Sequence, residues 1–201
     1  QADQLTMAPI LLDSYLKLSI SIVNSPDFSA RNIGIWKEFF QEPNTKSKID
    51  IEIKKRLKPF LTRAFRMPID EATVERYTYY AMAKIKGGLS FTEAMKKVAS
   101  VTLASPLFLH SFNSIDPRKK DFNLASKLSY FLWGSAPDQT LLSLAAQGTL
   151  SQKGNLDSSI DRMLKDPKIE RFLDSFPSQW MQLEALFSAQ PDPKLYRKYS
   201  L

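Results

Sequence analysis

The sequence predicts an all-α protein, an irregular multi-helix bundle of about 7–9 helices that can divide into two small packed subdomains. Two observations carry that expectation. Apolar residues recur at helical spacing through most of the chain, and start and stop signals punctuate them. Only 6 of 201 residues are glycine, too few for the many tight turns of sandwiches and barrels, and no useful strand alternation or internal repeat occurs.

The elements follow in order. Pro9 suits a first helical turn, with Leu12, Tyr15, Leu16, Ile20 and Val23 on one side and a stop near Asn24-Ser25-Pro26. In the less regular residues 26–48, Ile33, Ile35, Trp36, Phe39 and Phe40 are expected to pack, while Gln41 to Lys48 reads as a loop. Ile53, Leu57, Phe60, Leu61, Ala64 and Phe65 mark a helix from Asp50 to Phe65, with a kink or late start at Pro59. Asp70 caps a helix that reaches Lys86 and stops at Gly87-Gly88, with Ile69 and Val74 placed as a hydrophobic staple.

Ser90 and Glu93 form a capping box for a helix burying Phe91, Ala94, Met95, Val98 and Val101, and Ser105-Pro106 breaks or restarts it. Asp121 is placed as the cap of a helix bearing Leu124, Ala125, Leu128, Phe131 and Leu132, which Gly134 stops. A short helix starts around Pro137-Asp138 and ends at Gly148. Asn155 or Asp157 is placed as the cap of Leu156-Ile160-Met163-Leu164. Asp166-Pro167 starts the last strong helix, with Ile169, Phe172, Leu173, Phe176, Trp180 and Leu183 on one face. Pro177 is expected to bend that helix, and Phe172, Phe176 and Trp180 to pack on the helix of Leu124, Leu128 and Phe131, with Trp180 in the core. Pro191 and Pro193 end regular structure.

Composition sets the bounds. A hydrophobic share of 43% supports a real core. Lys+Arg exceed Asp+Glu by 28 to 21, a net +7 scattered along the chain, which reads first as a solvated surface and second as a surface for an acidic partner. The absence of cysteine excludes disulfides, thiolate metal sites and a C-x-x-C-H haem attachment within this chain. No apolar run approaches a membrane span, and Gln1-Ala2-Asp3-Gln4 reads as a processed or excised end.

Arg63-Ala64-Phe65-Arg66-Met67-Pro68, Ser105-Pro106-Leu107-Phe108-Leu109 and the run from Leu124 to Asp138 occur in this order. Together they resemble the planctomycete cytochrome-associated domains, tandem domains of unknown function in large planctomycete and myxobacterial proteins that often carry a c-type cytochrome domain. Residues 6–24 look like the end of one such domain, 50–112 like a second, and 121–201 like the start of a third; Asp192-Pro193-Lys194-Leu195 also fits. The corresponding division is 1–48 as the tail of a preceding domain with a linker, 49–115 as a small helical domain and 116–201 as the start of a following, truncated one. The resemblance implies an extracytoplasmic, multidomain parent, periplasmic or at the cell surface, with haem c elsewhere in it. It implies no reaction. Leu107 stands where the family has a His, His110 and Ser111 where it has an aromatic and an Arg, and the Cys that often precedes the Arg63 helix is missing.

Candidate sites are few. His110 is the sole histidine, so it cannot form half of a histidine pair, and no G-x-S-x-G elbow accompanies it. Arg63 and Arg66, three apart, could share a helix face as an anion or partner clamp; the reading favoured here is structural, a pairing with Asp70, Glu71 or helix C-terminal carbonyls. Tyr77, Tyr79 and Tyr80, and Tyr130, Phe131 and Trp133, could stack on bases or sugars, but helical phase turns Tyr77 and Phe131 inward. Lys54, Lys55, Arg56 and Lys58 form the densest basic cluster, without a nucleic-acid-binding fold around it, and Asp157 and Asp161 pair on an exposed face.

The expected function is a non-catalytic helical scaffold or interaction module of a larger extracytoplasmic, cytochrome-linked protein, with no catalytic, cofactor or metal residues of its own. Its expected partners are other domains of the same polypeptide or another protein, rather than nucleic acid or a membrane span. The rival is a part of a haem-dependent oxidoreductase or other enzyme whose active site lies in other domains.

Overall fold

The computed structural model describes residues 9–44, 48–110, 116 and 119–183. The described residues form nine α-helices, a π turn at Trp36–Phe40 and a 3₁₀ turn at Pro167–Ile169, with no strand. The helices are α1 Pro9–Asn24, α2 Ile49–Phe65, α3 Glu71–Lys86, α4 Phe91–Leu103, α5 Pro106–Leu109, α6 Lys120–Trp133, α7 Gln139–Ala146, α8 Lys153–Leu164 and α9 Glu170–Trp180. The protein is all-α, as its periodicity requires. The expected stop at Pro191 and Pro193 lies outside the described residues, as does part of the 41–48 loop.

Two buried clusters organise the molecule. The first gathers Ile53, Leu57, Leu61 and Phe65 of α2, Val74, Tyr77 and Ala81 of α3, and Phe91, Met95, Val98 and Ala99 of α4. Their spacing of three or four residues stacks them along one face of each helix. Val23 of α1 and Phe39 and Phe40 of the π turn join the same cluster. The π turn matters here, because the Gln41 N–H reaches back five residues to the Trp36 carbonyl at 2.9 Å. It turns the consecutive Phe39 and Phe40 both inward, edge to face at 4.9 Å, and Phe39 stacks on Phe60 at 3.9 Å.

The second cluster joins Phe122, Ala125, Leu132 and Trp133 of α6 to Leu141, Leu142 and Ala145 of α7, with Leu150 and Met163. Trp133 is its largest fully buried side chain, and its indole N–H donates to the Met163 carbonyl at 3.0 Å. That bond lets a polar aromatic sit in a core without an unpaired donor.

The local signals are mostly where the sequence puts them. The Asp70 carboxylate accepts the Thr73 N–H at 2.8 Å, and its pKa is held down by Thr73, first through the side-chain hydroxyl and then through that N–H. Both halves of the Ser90–Glu93 box form. Gly134 ends α6 at φ 56°, a left-handed position that favours glycine.

Two caps differ. Asp121 does not cap α6: Lys119 holds the cap position, and the Asp121 carboxylate, buried in the first turn, accepts the Ser151 N–H at 3.2 Å. Neither Asn155 nor Asp157 caps α8, which starts earlier, after Gln152. The left-handed Gly148 and the Gln152 N–H to Thr149 carbonyl bond form the turn that starts it, and the Asn155 amide donates to the Thr149 carbonyl at 3.0 Å. In α1, Leu12 and Leu16 are only partly covered; Ser19 and Val23 carry its packing on α4. Val101 is half-buried, and α2 runs through Pro59, which sits on its exposed side.

Trp133→Ala should cost about 3–5 kcal/mol. The thermal midpoint should fall by roughly 6–20 °C in calorimetry. Ser90→Ala, which removes one cap, should cost about 1 kcal/mol. A Trp133 variant melting like wild type would show that the second cluster does not depend on the indole.

Candidate interaction surface

Arg63 and Arg66 do not share a face. Arg63 lies in the last turn of α2, exposed beside a groove lined by Ile35, Phe39, Phe60 and Gln139. Arg66 caps that helix in the left-handed region at φ 55°, and its side chain turns inward and is buried. Its guanidinium donates to the carbonyls of Ala64 at 3.2 Å, Leu107 at 3.4 Å, Phe108 at 2.9 Å and His110 at 3.0 Å. The rings of Phe108 and Tyr130 lie 5.9 and 5.7 Å from its central carbon. The arrangement seats a cation on the carbonyl end of α5, where backbone partial negative charge collects.

The basic cluster of α2 is similarly engaged. Lys54 pairs with Glu75 at 3.4 Å and Lys58 with Glu71, tying α2 to α3. Arg56 pairs with Glu52 at 2.7 Å, donates to the Gln41 carbonyl at 2.6 Å and lies over the Phe91 ring. Asp157 and Asp161 are both exposed. His110 is half-buried at the end of α5. Among the described residues no group of three or more His, Asp or Glu gathers where a metal could be held, and no helix is long and apolar enough to cross a membrane.

The most exposed aromatic surface is built by α6 and α9. Phe131 and Trp133 are two residues apart, so they sit about 200° apart around the helix and cannot both face the core. Trp133 takes the inside, bracketed by the Arg162 guanidinium at 5.4 Å and the Lys168 ammonium at 4.4 Å from its ring. Phe131 is therefore turned outward, against the expectation of an inward ring. There it meets Phe172 at 5.1 Å and Phe176 at 5.6 Å, both edge to face. Phe172, Phe176 and Trp180, one turn apart on α9, stack in a row at 4.9 and 6.0 Å.

The packing of Phe172 and Phe176 on the Phe131 helix is thus as expected, but the core placement of Trp180 is not. Phe131 is 55% exposed, Leu173 58%, Phe176 39%, Trp180 74% and Met181 54%, and α9 buries no residue. The physical reason is position: α9 contacts α6 and the 3₁₀ turn on one side, and no described element covers the other. Periodicity shows that a face is apolar, not what lies on it.

Two polar clips hold this surface in place. Arg171 donates to the Trp133 carbonyl at 3.1 Å, which fixes α9 against the end of α6. Asp138 caps α7 through the Leu141 N–H at 2.9 Å and takes both arms of Arg162, at 2.6 and 3.2 Å, from α8. Burial pushes the Asp138 pKa up, but the Arg162 and Leu141 bonds outweigh it and hold the carboxyl below its usual 3.8. The sequence shows the Asp138 cap; it carries no sign of the Arg162 partner 24 residues later.

Residues 120–201 match the family model described as PSD4: Protein of unknown function (DUF1592), and residues 52–112 match PSD5: Protein of unknown function (DUF1595). The chain thus carries two matched domains of unknown function. Most of the first buried cluster lies within the PSD5 match, and the second lies within the PSD4 match. No curated protein and no solved structure matches the chain.

Arg66→Ala should strand buried carbonyls and lower stability by about 2–4 kcal/mol, while Arg63→Ala should change it by less than ~0.5 kcal/mol. Equal melting temperatures for the two variants would contradict this geometry. A carboxyl held below its unfolded value stabilises the fold above about pH 4 and loses that contribution as the pH falls through its folded value. Asp138→Asn, which keeps a capping oxygen but loses the pair, should therefore cost up to about 1 kcal/mol at pH 7 and nearly nothing at pH 2, since the pair is partly exposed and screened. Denaturant titrations at the two pH values measure the difference.

Proposed function

We propose that this chain is a non-catalytic helical scaffold or interaction module of a larger extracytoplasmic, cytochrome-linked protein. Its α6–α9 aromatic face docks against another domain of that polypeptide or against a protein partner. One observation carries the docking role: Phe131, Leu173, Phe176, Trp180 and Met181 stand exposed together. Contiguous apolar patches beyond a few hundred Å² mark interaction sites on folded chains, and Trp, Phe and Met are the residues that dominate buried interface centres.

The domain division at 49–115 and 116–201 draws support from the two buried clusters and the two family matches. The extracytoplasmic and cytochrome context draws support only from the resemblance to planctomycete cytochrome-associated domains. In this reading haem c belongs to another part of the parent, and neither Arg63 nor Arg66 acts in catalysis.

The test is to titrate the chain with neighbouring segments of its parent polypeptide and follow the tryptophan emission, using Trp180→Ser to isolate the Trp180 signal. Binding should shift that emission to the blue and protect it from acrylamide. Phe176→Ser should weaken binding about 30-fold, as loss of a ~2 kcal/mol anchor does. Binding that is indifferent to both substitutions would remove the face from the reading. Turnover, or a Soret band from haem bound by the purified chain, would overturn the non-catalytic assignment.

A further inference from the structure

A cavity of about 430 Å³ is lined by residues of α1, α3, α4 and α5, and so lies apart from the α6–α9 face. α1 and α3 both pack on α4, and the cavity sits between them at the C-terminal end of α4. Its deepest lining residues are Tyr77 and Ala104, both buried. Leu12 and Leu16 of α1, Tyr80 of α3 and Val101 of α4 complete its apolar walls. The cavity explains why the inner stripe of α1 is only half covered. Ser19 and Val23 are buried, whereas Leu12 is 40% exposed and Leu16 36%. The Tyr77 hydroxyl is bonded to Ser105 and Thr102, so the floor is held in place before anything binds.

Among the described lining residues Arg76 of α3 is the sole charged one. Its guanidinium lies 5.9 Å from the centre of the Tyr77 ring, and no carboxylate among the described residues pairs with it. The sequence explains why. The residues one turn away on α3 are Ala72, Thr73, Tyr79 and Tyr80, none of them acidic. Glu71 and Glu75 are taken by Lys58 and Lys54 of α2. Asp70 feels the Arg76 charge, but its carboxylate is held by Thr73 as the cap of α3. Asp13, the one acid of α1, is paired with Lys17 at 2.6 Å. Lys84, one turn beyond Tyr80 with its ammonium 5.2 Å from the centre of that ring, puts a second positive charge on the same stripe of α3. The rim of this apolar space is therefore positive, and its guanidinium lacks an anion.

We propose that this cavity binds a free single-chain carboxylate of the fatty-acid class, with its tail over Tyr77 and Ala104 and its carboxylate on Arg76. The volume lies within the ~300–1,000 Å³ of small-molecule sites, which combine apolar walls with a few placed polar groups. It suits one tail on the order of ten carbons, not the paired tails of a membrane lipid. A guanidinium fork takes a carboxylate through a pair of parallel hydrogen bonds. The apolar walls offer a small, highly charged anion nothing in exchange for its water. A cationic or neutral head leaves Arg76 unmatched. Because no described lining residue belongs to α6 or α9, the site stands or falls independently of the docking role proposed above.

Calorimetric titration of the full chain with decanoate, kept below the concentration at which it forms micelles, tests the site. About one equivalent should bind, with a Kd of about 10–100 µM. Decanol, with the same tail and no charge, should bind about tenfold more weakly, and decyltrimethylammonium more weakly still. Butyrate, which keeps the head and loses most of the tail, should not saturate below about 10 mM. Arg76 is exposed, so Arg76→Gln should fold as wild type and bring decanoate down to the affinity of decanol. Leu16→Trp, which fills the space from the α1 wall, should weaken decanoate and decanol alike by about tenfold or more at unchanged helicity; Leu12→Trp repeats the test should Leu16→Trp fail to fold. Trp180→Ser should change nothing. The absence of saturable decanoate binding overturns the inference. So do equal affinities of wild type and Arg76→Gln, or of decanoate and decyltrimethylammonium, since the head is then unread. Binding lost in Trp180→Ser but kept in Leu16→Trp overturns it and assigns the ligand to the aromatic face. Binding to phosphatidylglycerol vesicles without saturable decanoate binding also overturns it, in favour of a membrane surface.

Discussion

The buried guanidinium of Arg66 is the contact on which the junction of α2 with α5 depends. A buried cation is stable only where its hydrogen-bonding capacity is met. Here four backbone carbonyls receive it, three of them from Leu107, Phe108 and His110. The left-handed backbone at Arg66 is strained for a non-glycine residue, but it ends α2 and sends the side chain back under α5. The Tyr130 ring that lies near its other side belongs to α6. A single side chain thus ties the end of α2 to the end of α5 and touches a ring in the last turn of α6. The same device recurs with Arg56 over Phe91, Lys96 over Phe28 and Trp36, and Lys168 and Arg162 over Trp133. Much of the basic excess is therefore structural, packed on rings and carbonyls rather than displayed as a patch.

How much of this was legible in the sequence follows from the range of each interaction. The Asp70 and Ser90–Glu93 caps and the Gly134 stop are set within four residues, so their chemistry can be read in place. Asp121 and Asn155 have the right chemistry for caps, but each was drawn to a partner outside its own first turn: Ser151, 30 residues on, and Thr149, in the preceding turn. Several side chains satisfied the local rule, and the tertiary partner chose among them. The π turn at Trp36–Phe40 left only a cluster of aromatics as its sign.

The surfaces were less legible than the helices. Arg66 could be singled out as a cation near a helix end with the helix C-terminal carbonyls among its partners, and Ala64 supplies one, but the carbonyls of residues 107, 108 and 110 leave no mark on sequence chemistry. Phe131 and Trp133 show the limit most clearly. Both are large and aromatic, and the phase of the apolar face points to Phe131 as the inward ring, although only one of the two can take that place. Which one depends on the acceptor at Met163 and the cations at 162 and 168, which suit an indole better than a phenyl ring.

The aromatic face also bears on the order of its own helix. An isolated helix as short as the 11-residue α9 is marginal in water, because nucleation outweighs the few hydrogen bonds gained. Most helical stability comes from burying an apolar face, and α9 buries no residue. What holds it is the Arg171 bond to Trp133, the ring contacts with Phe131 and its own stack of Phe172, Phe176 and Trp180. Covering Leu173, Phe176 and Trp180 would supply the missing burial and stabilise the helix in the same step. Docking on this face would then be coupled to the ordering of α9, and fraying of α9 would lower a partner's affinity in proportion. A substitution at Arg171 would weaken that partner's binding without touching it, by loosening the platform on which Trp180 is presented.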